Sequence, residues 1–211
     1  MITIADHTLS RLVAQTKPHM GGRYEAETVQ SITLDHDGTH LYAMATNRYT
    51  LAVSRTRILD GNDEPWSALV YRTQVQELAA AIRLLDTKPV SLERADTQLI
   101  LSGQSGSRIA IDLIIESKPL DWRKVLLPAL AEKATAAQMA MSPKFFGAWR
   151  NLPDPVSMWS TGQGKPTLIV AADFLGAQMP VRRDTEDLAL RRELDTWQDT
   201  QRAATAESAA A

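Results

Sequence analysis

The sequence predicts an α+β fold: a short strand, a helix and a run of short antiparallel strands recur three times, with the helices on one face of the sheets. Two observations carry this expectation. In each copy the apolar residues switch from helical spacing to two-residue alternation in the same order, and turn residues mark each switch. The copies open at Met1, near Trp66 and near Ala136, a period of roughly 65 residues, longer than common solenoid repeats and about half a domain.

In the first copy, Ile2 and Ile4 alternate as a strand does. Asp6 or Thr8 is placed to cap the next helix, because their side-chain oxygens accept orphan backbone N–H groups. Leu9, Leu12 and Val13 share one helical face, Pro18 ends the helix, and Gly21-Gly22 turns the chain. Val29 to Leu34 reads as a strand and Asp35-His36-Asp37-Gly38 as a turn. Leu41 to Arg57 is strand material broken at Asn47-Arg48.

The second copy opens with Ala68-Leu69-Val70. Thr73 and Gln76 have the spacing of a capping box. Val75, Leu78, Ala79, Ile82 and Leu85 form the apolar stripe. Strands are expected at Val90 to Glu93, Gln98 to Ser102 and Ser107 to Ile115.

Residues 118–130 read as a linker, in which Pro119 and Pro128 flank Asp121-Trp122-Arg123-Lys124-Val125-Leu126, and Trp122 is expected to pin the linker onto a neighbouring surface. The third copy has strand character at Gln138 to Met141, then Ser142 as N-cap and Pro143 at the first helical position. Phe145, Phe146, Trp149 and Leu152 form its bulky face, and Pro153 and Pro155 stop the helix. Val156 to Ser160, Thr167 to Ala172 and Phe174 to Arg182 are expected strands. Residues 184–211 read as a helical or disordered tail, with Leu190, Leu194 and Trp197 at helical spacing.

Composition narrows the function. The chain has 211 residues and no cysteine, which removes disulfides, thiolate catalysis and cysteine zinc sites. Its net charge is −2, so any contact with a polyanion must come from a local cluster. Residues 1–20 lack a signal-peptide core and no stretch reaches membrane-spanning length, so the expected compartment is the cytoplasm. His36 and His40 flank a turn and read as solvated rather than as metal ligands. Gly21-Gly22 and Gly162-Gln163-Gly164-Lys165 fit no phosphate-binding fingerprint, and no Ser/His/Asp arrangement has a supporting motif. The chain is expected to be no enzyme and to need no cofactor. Arg11, Lys17, Arg72, Arg83, Lys144 and Arg150 lie on or beside the helices, with Arg23 and Tyr24 in the first loop. A surface that tracks DNA phosphates needs such cations and no base code, although the same residues also serve as ordinary helix solvation.

Three segments give a resemblance. Ala45-Thr46-Asn47-Arg48-Tyr49-Thr50-Leu51-Ala52-Val53 resembles the Ala-Thr-Asp-x-x-Arg-Leu-Ala segment of bacterial sliding clamps, the β subunit of DNA polymerase III. Asp121-Trp122-Arg123-Lys124-Val125-Leu126 is similar to that family's Pro-Asp-Tyr-Arg-Arg-Val-Leu-Pro linker between its middle and last domains. Gln178-Met179-Pro180-Val181-Arg182 resembles the Met-Pro-Met-Arg or Met-Pro-Val-Arg that ends those clamps. The motifs stand in the family's order and the resemblance covers roughly residues 1–183.

The resemblance implies a DNA-clamp fold built of repeated strand-helix-strands half-domains. Residues 1–117 then correspond to the middle domain, 118–130 to the linker and 131–183 to half of the last domain. It implies a hydrophobic pocket for short motifs of DNA polymerases and other clamp users. Its residues correspond here to Val29, Thr46, Arg48, Tyr49, Thr50, Leu51, Leu120, Lys124, Val125, Ala177, Met179, Pro180, Val181 and Arg182. An apolar anchor is expected against Leu51, Val125, Met179, Pro180 and Val181, with Thr46 and Arg182 hydrogen-bonding the peptide. The family often has Gly-His-Arg where this chain has Arg48-Tyr49-Thr50, and Pro where it has Leu120. The implied function is that of a sliding-clamp-like processivity factor of DNA replication or repair, the other reading being a ring-less adaptor or competitor. Double-stranded DNA and further copies of the chain are the other partners the resemblance leaves open.

Overall fold

The computed structural model describes residues 1–61, 64–85, 88–133, 141–162 and 164–181. Of the strand expected at Gln138 to Met141 only Met141 is among them, and it is not in a strand; the expected helical or disordered tail and Arg182 lie outside them.

Alternation in β1 (Ile2–Ile4) buries Ile2 and Ile4 completely. Helix α1 (Thr8–Thr16) turns Leu9, Leu12 and Val13 into the same core. Neither expected residue caps it: His7 stands at the cap with φ 54°, and the Thr8 hydroxyl donates to the Asp6 carbonyl at 3.1 Å. Pro18 sits inside a short 3-10 helix, Lys17–His19, that begins where the α-helix ends. Strands β2 (Ser31–His36), β3 (His40–Thr46), β4 (Thr50–Arg57) and the short β5 (Asp60–Gly61) complete the first copy. The second copy runs through β6 (Trp66–Tyr71), α2 (Arg72–Leu85), β7 (Val90–Arg94), β8 (Gln98–Ser102) and β9 (Arg108–Asp112). Because α2 starts at Arg72, Thr73 is already inside it, and its hydroxyl donates to Gln74 Oε1 at 2.7 Å instead of forming the expected capping box.

Every strand pairing is antiparallel. The two copies exchange their first strands. β1 lies beside β7 in a five-stranded sheet, order β5-β1-β7-β8-β9, and β6 lies beside β2 in the other sheet. One core joins both sheets and both helices, from Ile2, Leu12 and Leu34 to Leu78, Leu92 and Leu101. Among the described residues no helix is long and apolar enough to cross a membrane.

The third copy has a 3-10 helix, Pro143–Trp149, followed by β10 (Ser157–Ser160), β11 (Thr167–Ala171) and β12 (Phe174–Gln178). β12 pairs with β4, with Ala177 opposite Leu51 and Leu175 opposite Val53, so the larger sheet runs β10-β11-β12-β4-β3-β2-β6.

The expected linker is helical instead. Helix α3 spans Trp122–Ala131, and its N-cap Asp121 accepts from the Arg123 N–H at 3.2 Å. Trp122 and Leu126, one turn apart, are buried on the outer face of the larger sheet against Tyr42, Met44, Leu51, Val53, Leu168 and Ala177. That burial outweighs Pro128, which sits inside the helix and removes one backbone bond.

Candidate functional site

The tip between β3 and β4 is a tightly bonded turn. Asn47 Oδ1 accepts from the Tyr49 N–H (3.0 Å), the Thr50 N–H (2.7 Å) and the Thr50 hydroxyl (3.0 Å). Asparagine suits this role because its short side chain reaches backbone two and three residues on. Arg48 adopts φ 70°, the left-handed conformation. The Thr46 hydroxyl, expected to bond a peptide, accepts from the Arg48 N–H (3.1 Å) and donates to the Thr50 carbonyl (2.8 Å). Its proton is committed to the turn.

The end of β12 lies alongside. Gln178 faces Thr50 in the ladder, and the Met179 N–H donates to the Tyr49 carbonyl at 2.8 Å. Leu51 and Ala177 are side by side and 6% and 7% exposed, because Trp122 and Leu126 of α3 close over them. The hairpin tip, the end of β12 and α3 are thus brought together. Leu51 lies beneath the helix rather than in an open wall. The accessible apolar groups are Tyr49, Leu120, Val125 and Met179. Tyr49 stacks on Phe145 with ring centroids 5.4 Å apart. Lys124 is exposed and ion-paired with Asp121 at 3.3 Å, and Pro180 is half-buried. Val29 is half-buried in the loop after Gly21, whose N–H donates to its carbonyl at 2.7 Å; the Arg48–Glu25 ion pair (3.8 Å) ties that loop to the hairpin. Val181 is exposed and opens a second unit, 181–211, most of which, with Arg182, is outside the described residues.

Behind the turn is a buried polar cluster that the sequence reading did not single out. His19 is fully buried, with Nδ1 2.9 Å from the Thr50 hydroxyl. That hydroxyl already donates to Asn47, so His19 Nδ1 carries the proton and donates. Nε2 has no partner. Burial lowers the His19 pKa to about 4, partly offset by the Ala148 backbone. Trp149 packs on His19 at 4.2 Å and donates from Nε1 to Gln178 Oε1 at 2.7 Å. Gly176 makes room for it: a Cβ there would sit 2.6 Å from the Trp149 ring.

Arg123 fastens α3 to the sheet. Its guanidinium pairs with Asp35, lies 3.8 Å from Asp37, and covers the rings of Tyr42 (4.8 Å) and Trp122 (4.5 Å). Burial raises the Asp37 carboxyl, but bonds from the His40 and Thr39 backbone and the Tyr42 and Thr39 hydroxyls outweigh it and hold the group well below the usual carboxylate range. Arg123, Leu127 and Leu130 occupy the flank of α3 opposite Val125. With Tyr42, Val53, Arg55, Phe174 and Leu175 they line a groove of about 420 Å³. Expecting a linker here hid this groove, although Leu126, Leu127 and Leu130 carried a helical signal.

The basic residues divide into two groups. Arg11 is spent on the fold, donating to the Arg55 carbonyl at 3.0 Å, and Arg72 donates to the Gly21 carbonyl with its Nε buried. Both are of intermediate exposure. Lys17, Arg23, Tyr24, Arg83, Lys144 and Arg150 are exposed. α1 and α2 pack together, and Asn151 donates to the Ala14 carbonyl at 2.8 Å, which sets the third copy's helix beside α1. Glu77 is exposed on α2. Among the described residues no group of three His, Asp or Glu side chains is placed to hold a metal ion.

No protein-family model matches the chain, and no curated protein matches it in sequence. Solved structures do match. A DNA polymerase III beta subunit from Eubacterium rectale superposes with a TM-score of 0.70 at 12% identity, over 86% of this chain and 65% of that one. The sliding clamp of Bacillus subtilis gives 0.67 at 16% identity, over 86% and 64%. The DNA polymerase III beta subunit of Thermotoga maritima gives 0.68 at 12% identity, over 87% and 66%. The chain therefore spans just under two thirds of the clamps it matches. The expected architecture holds: this chain has the fold of the bacterial DNA polymerase III β sliding clamps over that part of their length.

Proposed function

We propose that this chain is a sliding-clamp-like protein of DNA replication or repair that captures short peptide motifs of polymerases or other clamp users. One observation supports this most: the hairpin tip, the end of β12 and α3 converge, with the Met179 N–H bonded to the Tyr49 carbonyl. On this reading residues 1–117 are a middle-type clamp domain, 118–130 the interdomain segment, and 131–183 half of a last domain. A peptide anchor rests on Tyr49, Val125 and Met179, with Leu51 and Ala177 as the buried support. Pro180 continues that wall. The protein acts in the cytoplasm, binds rather than transforms its partners, and uses no cofactor. Lys17, Arg23, Arg83, Lys144 and Arg150 supply phosphate contacts if DNA is held. The internal commitment of Arg11 and Arg72 favours the second reading, a ring-less adaptor or competitor that binds motifs and leaves DNA alone.

Fluorescence titration with a clamp-binding-motif peptide tests the reading. Griselimycin, bound in one solved clamp of Pseudomonas aeruginosa, is a second probe. Tyr49→Ala with Met179→Ala is expected to weaken binding about tenfold or more, roughly 1.4 kcal/mol. Unchanged affinity in that double variant removes the site. Leu51→Ala is unsuitable, because truncating a buried Leu costs about 2–5 kcal/mol of stability. Salt-sensitive association with duplex DNA separates the processivity reading from the adaptor reading.

A further inference from the structure

The hairpin tip that offers Tyr49 is held from behind. Asn47 Oδ1 accepts the Tyr49 and Thr50 N–H groups, so this atom is the amide oxygen and has no proton to give. Its bond to the Thr50 hydroxyl must use the single proton of that hydroxyl. Only lone pairs remain there for His19, whose Nδ1 is 2.9 Å away. Burial lowers the His19 pKa to about 4, so at neutral pH the ring carries one proton, and Nδ1 is where it sits. The donors then run in one direction. His19 Nδ1 donates to Thr50, Thr50 donates to Asn47, and the same Asn47 oxygen holds the Tyr49 N–H. The Tyr49 carbonyl in turn accepts from the Met179 N–H at 2.8 Å.

Two features make this chain matter. Its root is dry, with His19 and Thr50 0% and 2% exposed, so solvent does not stand in for a lost donor. The tip is also strained: Arg48 holds φ 70°, a left-handed conformation that a residue with a side chain keeps only where its surroundings impose it. We infer that His19 is a positioning residue of the peptide site: its Nδ1–H fixes the Thr50 hydroxyl on Asn47, and through it the strained tip that presents Tyr49 beside Met179. The inference rests on the peptide-capture reading. It adds that affinity depends on a donor buried behind the site, which the peptide itself does not touch. The competing role is ring packing, because Trp149 lies on His19 with centroids 4.2 Å apart.

Two substitutions at one position separate these roles. His19→Phe keeps a ring and removes the donor. His19→Asn keeps a donor near the place of Nδ1 and removes most of the ring. In fluorescence titration with the clamp-binding-motif peptide, His19→Phe is expected to weaken binding about fivefold or more, and His19→Asn to recover most of that loss. Thr50→Val removes the hydroxyl at nearly constant volume. It is expected to match His19→Phe, with no further loss when the two are combined. Amide exchange at Tyr49 and Thr50 is expected to rise in His19→Phe while that of β8 stays as in the parent. Nitrogen NMR of the unaltered chain needs no variant, and is expected to show His19 protonated at Nδ1 and bare at Nε2. A proton on Nε2, unchanged Tyr49 exchange, or a Phe variant that binds like the parent while the Asn variant is weak overturns the inference. The Tyr49→Ala, Met179→Ala double variant tells the two failures apart. If it binds like the parent, the capture site itself is wrong; if it loses binding and His19→Phe does not, only the role of His19 falls. A parent chain that binds no peptide overturns both.

Discussion

The helices of the second and third copies begin from similar patterns and end differently. α2 runs for 14 residues with a buried stripe, while its counterpart is a 7-residue 3-10 helix with nothing fully buried. Gly147 weakens the latter at a cost helices feel, and Pro153 and Pro155 keep it from extending. The larger difference is the neighbour. α2 lies against α1, β2, β6 and β9, elements drawn from both halves. Most helical stability in proteins comes from such packing rather than from propensity. The lesson is that a clamp half-unit is completed by its partner half.

Three perturbations sharpen that contrast, the largest first. Leu78→Ala in α2 is expected to cost about 2–5 kcal/mol in urea unfolding, and Phe146→Ala in dilute protein under about 1 kcal/mol. Similar costs at both sites would erase the distinction between a covered and an uncovered unit.

The seam between the two regions is pH-sensitive through His19, which joins Thr50 of the first copy to Trp149 of the third. Its folded pKa is lowered from 6.5 to about 4, so the unfolded chain takes the proton first as pH falls. Stability is complete above about 6.5, declines between 6.5 and about 4, and then levels, a loss on the order of 3 kcal/mol. Asp37 has the same sign in a lower window: its lowered carboxyl stabilises above the ordinary carboxylate pKa and loses that contribution only at more acid pH. Urea midpoints between pH 7 and pH 4.5 exclude Asp37 but report His19 together with His36, whose pKa burial also lowers, so the His19 share is read from its variant. The slope is expected to flatten in His19→Gln, and a parallel slope in that variant would assign the effect elsewhere.

Gly176→Ala is the smallest change. Its Cβ meets the Trp149 ring at 2.6 Å and Phe174 at 3.0 Å, so the indole must move off Gln178. Overpacking of this kind costs about 1–3 kcal/mol, with a shift in tryptophan emission. An unaltered spectrum would show that the seam does not depend on Trp149.

Several elements were legible because their signals are local. β8 occupies Gln98–Ser102 as expected, and Leu9, Leu12, Val75, Leu78 and Ile82 face the core as their spacing predicts. β2 is displaced, expected from Val29 to Leu34 and found at Ser31–His36. His36 packs on Trp66 at 5.6 Å and the turn moves to Asp37, which accepts from the Thr39 and His40 N–H groups. No pattern within β2 reports a neighbour 30 residues away. The same holds at the candidate site, where the Asn47 turn was expected, but neither the closing of α3 over Leu51 nor the spending of the Thr46 hydroxyl was readable from it.

The residue pattern by itself determined the repeated units, their strands and turns, and which faces are apolar, since these follow from spacing along a few residues. Only the tertiary structure decided that β12 joins β4, that Trp122–Ala131 is a helix, that Arg11 and Arg72 bond backbone carbonyls, and that β10 ends the larger sheet among the described strands. These outcomes depend on which distant surfaces meet. Burial of Trp122 and Leu126 can overrule Pro128, and a backbone carbonyl can claim a guanidinium, only once the chain has brought them together.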